Sequence, residues 1–132
     1  MTMPHERACA IRWGRENLME IQADKRIGRA IKVRAAEIYK AYPDEVELQS
    51  WIDKTVVVLP ERSADAMDAA RMLIEAIQRA KGWKGTAELR RSLLCTLRHF
   101  PQEYEIRWRR GKGFGFDGWV GVDNLARESV GR

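Results

Sequence analysis

Both histidines of this chain stand four residues from its only two cysteines, His5 from Cys9 and His99 from Cys95. On a helix that spacing puts each pair on one face, and two Cys with two His make up a tetrahedral zinc set. The short C-x-x-C spacing of structural zinc sites is missing. The reading adopted is therefore two small core cysteines and two histidines packed at helix ends, with no metal and no cofactor. Carboxylates also recur, in Glu6-Arg7 and Glu61-Arg62 and in Glu20 and Glu75. Paired carboxylates can do acid–base work, but the same residues serve helix dipoles and ion pairs. No Ser–His–Asp or Cys–His arrangement is supported by a motif. Gly113-x-Gly115-x-x-Gly118-x-Val120 has the form of a kinase glycine loop, yet no lysine strand, catalytic loop or βαβ unit accompanies it. The sequence reads as non-enzymatic.

The cations offer more. Lys25, Arg26, Arg29, Lys32 and Arg34 run without an intervening acid, and Arg79, Lys81, Lys84, Arg90 and Arg91 run with Glu88 alone opposing them. A third group, Arg107-Trp108-Arg109-Arg110-Gly111-Lys112-Gly113-Phe114, mixes cations with aromatics, a combination suited to phosphate contact and base stacking. The expected nucleic-acid surface comprises Lys25, Arg26, Arg29, Lys84, Arg90, Arg107, Arg109 and Arg110 for phosphates, with Trp83 and Trp108 for stacking. The competing account is solvated turns and a packed strand with a wet basic face. A second functional class is a protein-binding inhibitor or adaptor acting by occlusion, of the mobile-element or anti-defence type, with Phe114, Phe116 and Trp119 as its apolar contact.

These residues must be positioned by a duplicated unit. Pro4-His5-Glu6-Arg7 returns as Pro60-Glu61-Arg62, Leu18-Met19-Glu20 as Leu73-Ile74-Glu75, and Tyr42-Pro43-Asp44-Glu45-Val46-Glu47 as Phe100-Pro101-Gln102-Glu103-Tyr104-Glu105. A repeat with a period near ~55 residues is a duplicated supersecondary unit. Ile11, Gly14, Leu18 and Ile21 make one helical stripe, with Ala66, Ala69, Leu73 and Ala76 expected as its counterpart and Ile77 beside them. Ile31, Ala35, Ile38 and Tyr42 make another, matched by Leu89, Leu93, Thr96 and Phe100. Ser63 and Thr86 are expected N-caps. Pro43 and Pro101 should stop their helices at Tyr42 and Phe100.

After the prolines the copies are expected to diverge. Leu48, Trp51, Ile52 and Thr55 suit a short helix, and Val56–Leu59 a short strand or buried link. Tyr104, Ile106 and Trp108 alternate like a half-buried strand. The predicted fold is mainly α: two tandem helical hairpins packed as a small bundle, with a small β or irregular C-terminal element. The first hairpin repeat spans 1–54, the second 55–110, and a Gly/aromatic tail 111–132, all in one compact domain.

With those motifs in view, the chain resembles a family of short uncharacterised proteobacterial helical proteins. Their N-terminal Met-Thr-x-Pro-x-Glu-Arg is matched by Thr2, Pro4, Glu6 and Arg7. Their His-Tyr-Pro stop is matched by His99, Phe100 and Pro101. Ala8 and Ala41 depart from the pattern, where the family often has threonine and histidine. The resemblance covers both hairpins and implies a helical fold with no catalytic residue.

Bulk composition fits that reading. The chain has 132 residues, 45% hydrophobic and 33% charged, five Trp and a formal net charge of +5, which gives apolar material for a core and permits an acidic partner. Two cysteines are too few for a disulfide scaffold, and no apolar run reaches the ~18 residues of a membrane span. The expectation is a cytoplasmic protein with no membrane contact. A nucleic-acid, nucleoprotein or protein partner is possible, and the oligomeric state stays open.

Overall fold

The computed structural model describes residues 3–52 and 57–109. It is mainly α, with six helices and no strand among the described residues: α1 (Pro4–Ala23), α2 (Arg29–Ala41), α3 (Glu45–Trp51), α4 (Glu61–Arg79), α5 (Ala87–His99) and α6 (Glu103–Arg109). Each copy is thus a long hairpin followed by a short third helix. Helix α1 starts where Pro4 supplies a preset φ and Glu6 Oε1 accepts the Met3 backbone N–H at 2.7 Å. Thr86 caps α5 by accepting the Leu89 N–H at 3.0 Å. Helices α2 and α5 end at C-caps Tyr42 and Phe100, where the following prolines disfavour further helical turns.

Three local expectations are corrected. Ser63 caps nothing, because α4 begins at Glu61 behind Pro60. Ser63 lies inside the helix, buried, and its hydroxyl donates to Glu47 Oε2 at 2.7 Å, tying α4 to α3 of the other copy. Residues 103–109 form helix α6, not a strand. The reason lies in the repeat itself. Pro101-Gln102-Glu103 occupies the place of Pro43-Asp44-Glu45, and Glu105 Oε1 accepts the Gln102 N–H at 3.1 Å as Asp44 Oδ1 accepts the Glu47 N–H at 2.8 Å. Of the supposed alternating face, Ile106 is buried and Tyr104 is exposed. The copies therefore stay parallel through their third helices. Of the segment approaching α4, the described residues 57–60 form no strand; Val57 and Leu59 are buried and Val58 is exposed.

The third correction concerns register. Ala66 and Ile77 of the expected stripe are buried, but Ala69 and Leu73 are half-buried and Ala76 is exposed; the face equivalent to the α1 stripe is Met67, Ala70, Ile74 and Ile77. Each residue of that face lies fifty-six positions after its partner in Ile11, Gly14, Leu18 and Ile21. In α5 the offset becomes fifty-eight, because the turn at 80–86 is two residues longer than the turn at 24–28. The Leu-Met-Glu and Leu-Ile-Glu matches are one residue out of structural register.

Packing interleaves the copies. Helix α1 lies against α2 and α5, α4 lies against α5 and α2, and α3 and α6 cover α1 and α4 respectively. Exchanging the two copies maps this scheme onto itself. One continuous core results, running from Ile11, Leu18 and Ile21 through Tyr42, Leu48 and Leu59 to Met67, Ile74, Leu93, Phe100 and Ile106. No described helix is long and apolar enough to cross a membrane.

Candidate phosphate-binding end of the bundle

The two basic turns connect helices that run side by side, so they emerge at the same end of the bundle. Ile27 and Gly28 of the first turn and Lys81, Gly82, Trp83 and Lys84 of the second line one cleft of about 380 Å³, with Ile31, Leu73, Ala76, Ile77 and Ala80 forming the rest of it. This lining carries two lysines and no carboxylate. Lys25, Arg26 and Arg29 are exposed on the first turn, and Lys81 and Lys84 are exposed on the second. Lys25, Arg29, Lys81 and Lys84 make no ion pair among the described residues. Arg26 Nε stands 3.9 Å from Asp24 Oδ1, a loose ion pair worth little because the Arg26 side chain is itself exposed.

The turn geometry holds Trp83 in place. Gly82 has φ 73°, a left-handed conformation that glycine adopts without penalty. The indole Nε1–H donates to the Thr86 carbonyl at 2.9 Å. A Cβ at Gly85 would lie 2.2 Å from Trp83 Cζ2, so only glycine leaves room for the ring to fold over the turn. Trp83 is a fixed, half-buried wall of the cleft, and its polar group is already used.

The opposite flank of this end differs in charge. A wider depression between the first turn and the start of α5 holds Glu16, Glu20, Asp24 and Glu88 beside Lys25 and Arg26. Its carboxylates repel phosphate and lie beside Lys25 and Arg26, neither of which lines the cleft.

The structure does not bring together all the residues expected to form one surface. Arg90 stands outside the cleft, and one guanidinium nitrogen donates to the carbonyls of Gln78 at 2.8 Å and Ala80 at 3.0 Å. Those are carbonyls at the end of α4, which a cation near a helix C-terminus satisfies. Arg107 lies at the other end of the molecule. Its helix is tied to the start of α1 by the Arg7–Glu105 contact at 3.8 Å, and Arg107 itself pairs with Glu103 at 2.6 Å. Arg7 and Ala23, the last residue of α1 before the first turn, are about 24 Å apart along the helix at ~1.5 Å per residue. Trp108 and Arg109 belong to the backbone of α6 on that far end. Arg110, the glycine-rich motif and Phe114, Phe116 and Trp119 lie outside the described residues. Lys81, absent from the phosphate set expected from sequence, also lines the cleft, two residues from Trp83.

The four residues of the zinc alternative do line one groove between α1 and α5, of about 720 Å³, with Glu6, Trp13 and Arg98. The expectation of two core cysteines is corrected: Cys9 is buried, but Cys95 is exposed. Among the described residues no group of three or more His, Cys, Asp or Glu is placed to hold a metal ion. His99 Nδ1 faces Glu6 Oε2 at 3.5 Å. Nor do the recurring carboxylates pair: Glu20 accepts from Asn17 Nδ2 and Glu75 from Arg71. A polar knot not expected from sequence sits beneath this groove. Asn17, fully buried in α1, donates to Ser92 Oγ at 3.1 Å and accepts from Thr96 Oγ1 at 2.5 Å. An asparagine at a core-facing helical position is the signal that could have found it.

Comparison of the chain with protein-family models, with curated proteins and with solved structures finds no match.

Proposed function

We propose that the protein is a non-enzymatic nucleic-acid-binding module that holds the phosphate backbone at the turn end of the bundle. One observation carries this reading: the two turns share a cleft whose lining has two lysines, both from the second turn, and no carboxylate, while Lys25, Arg26 and Arg29 of the first turn stand exposed outside it. Lys25, Arg26, Arg29, Lys81 and Lys84 are the phosphate ligands. Arg90 is a helix cap, and Arg107 serves a distant surface. The turn cations are long, exposed side chains, so each gains affinity mainly by releasing condensed counterions.

The test is fluorescence anisotropy with labelled DNA and RNA across a salt series. Each phosphate contact contributes roughly 0.7 to the log–log salt slope on single strands and about 0.9 on B-form duplex. Replacing Lys25, Arg29, Lys81 and Lys84 together by Ala should weaken binding for all base sequences alike and flatten the slope by about three. Replacing Arg107 should leave both unchanged. Equal slopes for the wild type and the fourfold variant would remove the assignment.

A further inference from the structure

We infer that the cleft between the two turns takes an unpaired nucleobase, so that the ligand is single-stranded or looped nucleic acid and not duplex; this rests on the phosphate-binding reading above. The cleft is concave, with apolar walls of Ile31, Leu73, Ile77 and Trp83 and lysines at its mouth. Its volume of about 380 Å³ falls in the lower part of the ~300–1,000 Å³ range of small-ligand pockets. Phosphate contact alone needs only exposed cations and gains nothing from an apolar recess. A base does gain, because its π-faces are apolar, and in single strands they are free to leave the stack and pack on aromatic side chains. In a duplex those faces are already covered by neighbouring bases.

Two details fit a base. First, Trp83 is held before any ligand arrives, by its hydrogen bond to the Thr86 carbonyl and its packing over Gly85. A fixed ring loses little rotamer freedom on binding. Second, the side chains of the cleft offer no hydrogen-bonding group beyond the two lysines and the already committed indole N–H. Base identity is then read weakly, and recognition is tolerant of sequence. Lys81 and Lys84, flanking Trp83, would hold the phosphates on either side of the inserted nucleotide.

The experiment compares a short single strand with a blunt-ended two-strand duplex of equal phosphate number, at one salt concentration, by anisotropy. It uses the full chain and two variants. Ala76→Phe fills the cleft from an exposed position without changing charge. Gly85→Ala drives a Cβ into the Trp83 ring and moves that wall. A thermal melt followed by circular dichroism establishes that each variant is folded, and Gly85→Ala serves alone if Ala76→Phe is not.

The expected result is single-strand binding roughly tenfold or more tighter than duplex binding, with the preference erased in either variant and salt-dependent affinity retained. Equal affinity for the two forms, or a preference that survives both variants, overturns the base-binding inference and leaves the phosphate surface standing. Failure of both nucleic acids to bind even at low salt overturns the phosphate reading, and this inference with it.

Discussion

Gly14 is where a single atom decides the packing of two copies. A Cβ there would stand 2.4 Å from the Tyr42 hydroxyl and 3.1 Å from Phe100 Cε1, the equivalent aromatic stops of the two hairpins. Tyr42 donates that hydroxyl to the Ile11 carbonyl at 2.5 Å, and its burial pushes the phenol well above its ordinary pKa, so it stays protonated throughout the stable range. Gly14→Ala must displace the ring or break that bond. Overpacking of this kind costs about 1–3 kcal/mol, to be read as a lower urea midpoint at unchanged m-value. Thr96 offers a second probe at this scale. Thr96→Val keeps the shape but removes the donor to Asn17 Oδ1, and a buried acceptor left unsatisfied costs about 1–3 kcal/mol. Adding Asn17→Leu should make the double variant more stable than the sum of the two singles, and simple additivity in that cycle would mean the knot holds nothing together.

At the scale of elements, short ion pairs and caps fix where the third helices lie. Arg12 of α1 donates to both carboxylate oxygens of Glu45 in α3, Nε at 2.7 Å. Those bonds hold Glu45 below the usual carboxylate range, outweighing the opposing effect of its burial. A carboxylate depressed in the folded state contributes its stability above the unfolded value of ~4.3, and loses it as pH falls through the folded value. Glu45→Gln should therefore shrink the drop in urea midpoint between pH 7 and about pH 3, by a modest amount because the Glu45 side chain is half exposed; a drop of wild-type size would show the pair to be energetically idle.

The ends of α2 and α5 and the cap at Thr86 are legible in sequence, because proline and threonine act within one turn of where they stand. Helix α6 is not. Tyr104, Ile106 and Trp108 satisfy a period of two over only five residues, a window too short to distinguish strand from helix, while the Pro-x-Glu repeat argues for a second short helix. The register of α4 is hidden because three near-identical residues, Leu73-Ile74-Glu75 against Leu18-Met19-Glu20, match more closely than the true burial pattern does. That shift conceals the cleft, since Leu73 and Ala76, placed in the core by the sequence match, are cleft residues. The meeting of the two basic turns is readable from hairpin connectivity. The loss of Arg90 is not, because its partners are backbone carbonyls ten and twelve residues away.

At the scale of the whole molecule, the duplication yields one cooperative unit and not two beads. Each long helix meets the second helix of the other copy as well as its own: α1 packs on α5 and α4 on α2. Ser63 reaches Glu47 and Asn17 reaches Thr96 across the same divide. A single copy cut free would expose the faces of α1 and α2 that the partner copy covers, and a chain of such a length buries too little apolar surface to offset its conformational entropy. A fragment spanning residues 1–59 should accordingly show little helix by circular dichroism, whereas the full chain should unfold in one transition with coincident circular-dichroism and tryptophan-fluorescence curves. Mixing that fragment with one spanning 57–132 should restore helix in a concentration-dependent way, since the interface they share is the core itself. Two separate transitions in the full chain, or a folded 1–59 fragment, would mean that the copies are independent domains. The turn-end cleft, built from one turn of each copy, would then lack the rigid frame that holds its two halves at a fixed distance.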